Sequence, residues 1–150
     1  MSYQETNITV SLVSNLLILG FYLMNFFRMY QEVSLEPAKV FRLWGIVIVA
    51  TIVLNILGNI LTNIVLSIIH AIKTKTERNE PFIADERDKL IGLKGTRISY
   101  IVFSIGVFLS MLTLVIDQPP LVMFSLLIFF SIFAEIIGDI SQLYYYRRGV

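Results

Sequence analysis

Four long apolar runs, separated by polar segments, restrict the fold of this chain more than any other feature. They cover residues 8–27, 43–72, 98–116 and 121–140. Each run has about the 20 residues that a helix needs to cross the hydrocarbon core of a bilayer, or more. Since lipid offers no hydrogen-bonding partners, a single run of this kind satisfies its own backbone only as a helix. The sequence therefore predicts an all-α polytopic membrane protein, in which residues 1–150 form one domain of four transmembrane helices.

Composition and charge exclude several classes of protein. The chain is 56% apolar and only 15% charged, whereas soluble domains have about 45–50% and about 25%. The net charge of +1 argues against nucleic acid as a partner. With no cysteine and one histidine, we expect no metal site and no cofactor. The chain has no Ser/His/Asp set and no glycine-rich loop for phosphate, so we expect no enzymatic activity.

The distribution of lysine and arginine predicts the orientation in the membrane. Nine of these residues lie between positions 73 and 97 or in the C-terminal tail, and three lie on the opposite side. Because basic residues accumulate in cytoplasmic segments, we expect both termini and the loop 73–97 to be cytoplasmic. Aromatic residues, with two arginines, mark the interfaces with the lipid. The predicted interface anchors are Trp44 on the outer side and Tyr100, Tyr144, Tyr145, Tyr146, Arg147 and Arg148 on the inner side.

Polar side chains form a stripe along the second run. Residues four apart in sequence share one face of a helix, and the other faces of this run are Ile, Val and Leu. Two interpretations compete. The amides either form hydrogen bonds between helices, at about 0.6 kcal/mol each, or line a pathway or ligand pocket. The stripe consists of Thr51, Asn55, Asn59, Asn63 and Ser67, each four residues after the last, with Thr62 and His70 nearby.

Two carboxylic acids in the fourth run are harder to accommodate in a bilayer than the amides of the second run. We expect Glu135 well inside the inner leaflet and Asp139 closer to the cytoplasmic interface. An acid at such a depth costs about 3 kcal/mol on insertion scales, so it must be paired, hydrated or protonated. Asn63 should lie level with Glu135, and Asn15 of the first run reaches the same leaflet. The hypothesis is a hydrated polar site around Glu135.

The alternative for these acids is a structural lock, in which Glu135 or Asp139 pairs with Arg97 or His70. A helical projection places Glu135 on one narrow face of the fourth run, with Asp139 at its edge. The other members of that face are Ser131, Gly138 and Gln142.

Pairs of small residues four apart predict close contacts between helices. These pairs are Gly106 with Ser110 and Ala134 with Gly138. The contact could lie within one chain or between chains, and a homo-oligomer is one expectation.

The end of the loop 73–97 is expected to bend at the membrane surface. Its apolar side chains Leu90, Ile91 and Leu93 are expected to contact that surface. Gly92 and Gly95 weaken a helix there and favour a bend into the third run.

Several short motifs resemble a known group of sequences. They are Asp-Glu-Arg-Asp at 85–88, Lys94, residues 97–100 and Tyr-Tyr-Arg-Arg-Gly at 145–149. The chain is similar in these segments to small bacterial four-helix inner-membrane proteins that are classed as a domain of unknown function. The resemblance implies an integral protein of the bacterial inner membrane with both termini in the cytoplasm. It implies no activity and no catalytic residue.

Two functions remain open from the sequence. The first is a proton- or cation-linked transporter or channel, with the stripe and Glu135 lining a path. The second is a non-transporting accessory or sensor subunit that docks a partner membrane protein. Transport predicts that Glu135 and the amides of the stripe meet water, whereas docking predicts dry pairs or an apolar surface.

Overall fold

The computed structural model describes residues 3–31, 36–73 and 86–148, and along the second helix beyond Gly58 it describes the side chains of Ile60, Leu61, Ile64 and Ile68 only. Four helices fill these ranges. All four are long and apolar enough to cross a membrane, which confirms the predicted all-α fold with four spans. They are α1 (Tyr3–Gln31), α2 (Pro37–Lys73), α3 (Glu86–Val115) and α4 (Pro120–Arg148).

The last helix, α4, is the centre of the bundle. It packs extensively against both α1 and α3, and α1 packs in turn against α2. The contact between α2 and α4 is small, and in the described part of the chain α3 packs extensively against α4 alone. The four helices therefore form an open arrangement, with α2 and α3 on separate sides of α4.

A small apolar core joins α1, α2 and α4. Its buried members include Ile18 of α1, Val47 of α2 and Ile128 of α4. Tyr22 is only 2% exposed, and its hydroxyl donates a hydrogen bond of 2.7 Å to the backbone oxygen of Ser125. This bond satisfies the one polar atom that the tyrosine brings into the core.

The contact between α3 and α4 depends on small residues. A Cβ atom at Gly138 would overlap Ser99 Oγ and would lie 3.4 Å from the backbone oxygen of Gly95. A Cβ at Gly106 would overlap the Phe130 ring. Ser110 is fully buried and donates to the backbone oxygen of Gly106 at 2.7 Å. The predicted small-residue contact is confirmed, and it lies within one chain.

The chain reverses between α3 and α4 in a tight turn. The Asp117 N–H donates to the Leu114 oxygen at 3.3 Å, and the Gln118 N–H donates to the Thr113 oxygen at 3.0 Å. This pair of bonds is the Schellman pattern that ends many helices. Asp117 has a φ of 56°, in the left-handed region that the pattern requires. Pro120 then begins α4, as expected for a residue that suits a helix start.

The predicted bend at Gly92 and Gly95 is wrong, and so is the predicted contact of Ile91 with the membrane surface. Helix α3 begins at Glu86 and continues through Gly92 and Gly95, so the last part of the loop 73–97 is helical. Ile91 is only 1% exposed and is therefore buried in the protein, although Leu90 and Leu93 are exposed. Packing explains the difference, because Gly95 allows α3 to lie directly against α4. Residues 74–85 lie outside the described part of the chain.

Replacing Gly138 by alanine tests the close contact of α3 with α4. The added methyl group must displace Ser99 or separate the helices, and overpacking of this kind costs typically about 1–3 kcal/mol. We expect Gly138→Ala to lower the midpoint of thermal unfolding in detergent, measured by circular dichroism. Gly20→Ala is the matched control, because a Cβ at Gly20 meets no atom within 4 Å. Equal midpoints for the two variants would contradict the contact.

Candidate functional site

A groove runs along α4 in the space between α2 and α3. It contains a larger cavity of about 470 Å³, lined by residues of all four helices. A smaller cavity of about 280 Å³ lies beside it, between α3 and α4. Phe103, Ser131 and Glu135 line both cavities, so we treat the two as one α4 groove.

The faces of α4 explain why Glu135 reaches this groove. Asp139 faces α1, and Gly138 packs against α3. Glu135 and Ser131, one turn apart, are exposed between these two contacts. Gln142 lies against Gly95 of α3. The narrow polar face predicted from the sequence is therefore divided between a packed side and an open side.

The carboxylate of Glu135 has no hydrogen bond or ion pair with any residue that the structure describes. It is exposed in the groove, on a helix that is long and apolar enough to span a membrane, where an unpaired charge is costly. Such a group must be hydrated, protonated or paired with a cation from outside the chain. Glu135 is therefore the side chain of the groove that is chemically free to exchange a partner.

Asp139 lies in a different environment, although it is only one turn from Glu135. Its Oδ2 atom accepts a hydrogen bond of 2.9 Å from Ser11 Oγ and one of 3.2 Å from Asn15 Nδ2. Asn15 is 3% exposed and Asp139 is 8% exposed. Two donors from one turn of α1 thus hold this carboxylate inside the bundle.

The predicted lock between an acid and Arg97 is wrong. Arg97 is exposed, and within the described ranges it forms no hydrogen bond or ion pair. Asp139 faces α1, where Ser11 and Asn15 share one face of the helix, so α3 does not supply its partner. The side chain of His70, the other predicted partner, lies outside the described residues.

The predicted stripe on α2 is described only in part. Asn55 is half-buried, whereas the side chains of Asn59, Asn63, Ser67 and His70 lie outside the described residues. The polar residue of α2 that lines the groove beside Glu135 is Thr51, whose hydroxyl donates to the Val47 oxygen at 2.8 Å.

The part of α2 that lies level with Glu135 is not the part that the sequence predicts. Asn63 lies about 18 Å further along the axis of α2 than Thr51, so it is not level with Glu135. The depth match was wrong because α2 has 37 residues, and the part that reaches α4 is near its start.

Four aromatic rings line the larger cavity, and no pattern in the sequence groups them. Phe41 and Phe124 lie with their ring centroids 5.6 Å apart. Trp44, predicted as an anchor in the lipid interface, is 45% exposed and forms part of the cavity wall. Phe103 lines the cavity from the side of α3. These rings come from three helices and are far apart in sequence, so only the fold brings them together.

The start of α3 and the end of α4 meet at one end of the bundle. Tyr146 donates from its hydroxyl to Asp88 Oδ1 at 2.7 Å, and Arg87 Nη2 donates to the backbone oxygen of Tyr146 at 3.4 Å. The Lys94 ammonium lies 5.1 Å from the centre of the Tyr145 ring. Tyr145 and Tyr146 are therefore partly covered by α3.

The remaining predicted interface anchors are open to their surroundings. Tyr100 is 71% exposed and lines the smaller cavity. Tyr144 is exposed, and Arg148 lies 4.9 Å from the centre of its ring. Arg147 is exposed as well. These four residues keep the exposure that an anchor at the lipid interface requires.

Comparisons with known proteins add no assignment to this site. The chain matches no protein-family model, no curated protein and no solved structure. Among the side chains that the structure describes, which do not include that of His70, no group of three His, Asp or Glu is arranged to hold a metal ion. The resemblance to small bacterial membrane proteins stays a prediction.

A double-mutant cycle tests the hydrogen bond between Asn15 and Asp139. Each single change to alanine removes one hydrogen bond of a buried polar group, which costs typically about 1–3 kcal/mol. We expect Asn15→Ala and Asp139→Ala each to lower the free energy of unfolding, measured in mixed micelles. The double variant should lose less than the two single losses added together, because the interaction is lost only once.

Asn25→Ala is the matched control for this cycle. The Asn25 amide lies on the same helix but is exposed, and it donates to the backbone oxygen of Phe21 at 2.8 Å. We expect its replacement to change stability by less than about 0.5 kcal/mol, as surface changes usually do. Strictly additive losses for Asn15 and Asp139 would show that the two residues do not interact.

Proposed function

We propose that this small integral membrane protein is a proton- or cation-linked transporter and that Glu135 is its ion-binding group. The observation that carries the proposal is the contrast between two acids one turn apart. Asp139 is buried and accepts two hydrogen bonds, whereas Glu135 opens into a groove and has no hydrogen bond or ion pair in the described part of the chain. An acid retained in a membrane helix without a structural partner is most simply a functional group.

The side chains around Glu135 support binding rather than catalysis. Ser131 and Thr51 are hydroxyls in the groove, but none of its described lining residues is a histidine or a lysine that would activate them. We therefore propose that the protein is not an enzyme.

The arrangement of charges supports an orientation for the proposed transporter. The start of α3 and the end of α4 carry six basic residues at the end of the bundle where Ser11 of α1 meets Asp139. The opposite end carries Arg28, Lys39 and Arg42. By the positive-inside rule, the first end is cytoplasmic, which also fits the bacterial inner-membrane proteins that the motifs resemble. Glu135 is then closer to the cytoplasmic face.

One observation favours a second candidate function. The α4 groove is open between α2 and α3, and its rim is apolar, so a helix of another membrane protein would fit along it. In that case the protein is a non-transporting accessory or sensor subunit, and Glu135 meets a polar group of the partner. This candidate predicts no ion flux through the isolated protein.

Proton flux into liposomes tests the proposal. Purified protein is reconstituted with a pH-sensitive dye inside, and a potassium gradient with valinomycin sets the driving potential. We expect flux well above that of protein-free liposomes. Glu135→Gln should reduce it to that background, because the amide keeps the shape of the side chain but neither binds nor releases a proton.

The matched control is Asp117→Asn, the same kind of change at an exposed acid in the turn between α3 and α4. Its flux should equal that of the unchanged protein. Proton flux that survives Glu135→Gln would overturn the proposed role of Glu135. The absence of both proton flux and cation flux from folded protein would overturn the transporter and favour the accessory subunit.

A further inference from the structure

We infer that the larger cavity of the α4 groove binds an organic cation with an apolar body. The inference rests on the proposed role of Glu135 as the cation-binding group and names the class of ligand. Its basis is the combination, in one cavity, of a single carboxylate, several aromatic rings and an apolar wall.

Charge complementarity decides the sign of the ligand. Among the described residues that line the larger cavity, Glu135 is the only acidic or basic one, and its carboxylate has no ion-pair partner among them. A ligand with one positive charge would neutralise it, whereas an anion would meet an uncompensated like charge. The single negative charge among the described lining residues therefore favours a ligand with one positive charge.

The aromatic rings favour an organic cation over a metal ion. Phe41, Trp44 and Phe124 line the cavity from α2 and α4, and Phe103 lines it from α3. Aromatic faces attract ammonium and similar cations, most strongly when the cation carries little water. A small inorganic ion keeps a tightly held hydration shell, and the mainly apolar wall offers few oxygens to replace it.

The size and the polar groups of the cavity fit a ligand of this kind. Its volume of about 470 Å³ lies within the range of about 300–1,000 Å³ that is typical of sites for small organic molecules. Thr51, Asn15 and Ser131 add a few polar contacts on the side of Glu135. Since α2 and α3 lie apart, a lipophilic cation has access from the bilayer directly.

Trp44 is the only tryptophan of the chain and lines the cavity, so its fluorescence reports on occupancy. The experiment titrates the full-length protein in nanodiscs with tetraphenylphosphonium and, separately, with tetraphenylborate. The two ions have nearly the same size and shape and opposite charges. We expect a saturable change with the phosphonium ion and only a linear, unsaturated change with the borate.

Glu135→Gln should weaken phosphonium binding by at least about tenfold, the loss expected when one charge interaction disappears. Glu135→Asp, which keeps the charge, should bind more tightly than the amide variant. Gly20→Ala is the control, because it adds a methyl group on α1 away from the cavity. Equilibrium dialysis of labelled phosphonium measures the same affinities without the fluorescence signal.

Three results would overturn the inference. Equal affinity of the unchanged protein and of Glu135→Gln for the phosphonium ion would show that the charge of Glu135 does not contribute to binding. Competition by tetraphenylborate at similar concentrations would show that the cavity takes up apolar molecules whatever their charge, as a cavity filled by lipid chains would. A Trp44 signal that depends on protein concentration without ligand would show that a second copy occupies the groove.

A measurement of proton flux distinguishes a failure of this inference from a failure of the proposed transport function on which it rests. If flux depends on Glu135 but phosphonium neither binds nor alters it, the organic cation is wrong and the proposed transporter stands. If neither flux nor binding depends on Glu135, both proposals fail.

Discussion

The packing of α4 depends on two adjacent residues that hold it to different neighbours. Gly138 lets α3 approach until Ser99 fills the space of the missing Cβ, and Asp139 accepts hydrogen bonds from Ser11 and Asn15 of α1. Lipid supplies no hydrophobic force between helices, so close packing and polar bonds of this kind must hold a bundle together. At this level α4 therefore contacts α3 on one side and α1 on another.

The same geometry leaves Glu135 open. A residue one turn before Asp139 projects between the two contacts, into the groove along α4. One carboxylate is thus part of the structure and its neighbour is available to a ligand. The division of roles comes from their neighbours and not from residue type, as with paired acids whose environments separate their functions.

The four helices and their close contacts could be predicted from the sequence, because both are local properties. A run of apolar residues is a helix in lipid whatever its neighbours, and small residues four apart mark a close contact. Gly106, Ser110, Ala134 and Gly138 are all buried, as that pattern requires.

Most of the candidate site could not be predicted, because it depends on which helices are neighbours. The partner of Asp139 is α1 and not Arg97 of α3; depth placed Asn15 in the same leaflet, but depth alone does not choose between α1 and α3. Depth matching failed for Asn63, because α2 meets α4 near its start. The aromatic wall of Phe41, Phe103 and Phe124 combines residues more than 80 positions apart in sequence.

The central claim is that α4 is open to the groove at Ser131 and Glu135, whereas Ser125 of the same helix is buried in the bundle. The chain has no cysteine, so Ser131→Cys and Ser125→Cys each introduce a single thiol in the same helix. Ser131 is exposed in the groove and Ser125 is 3% exposed. The account predicts that a small membrane-permeant maleimide modifies Cys at 131 at least about ten times faster than at 125, since access controls thiol reactivity. Equal rates at the two positions, or a faster reaction at 125, would contradict it.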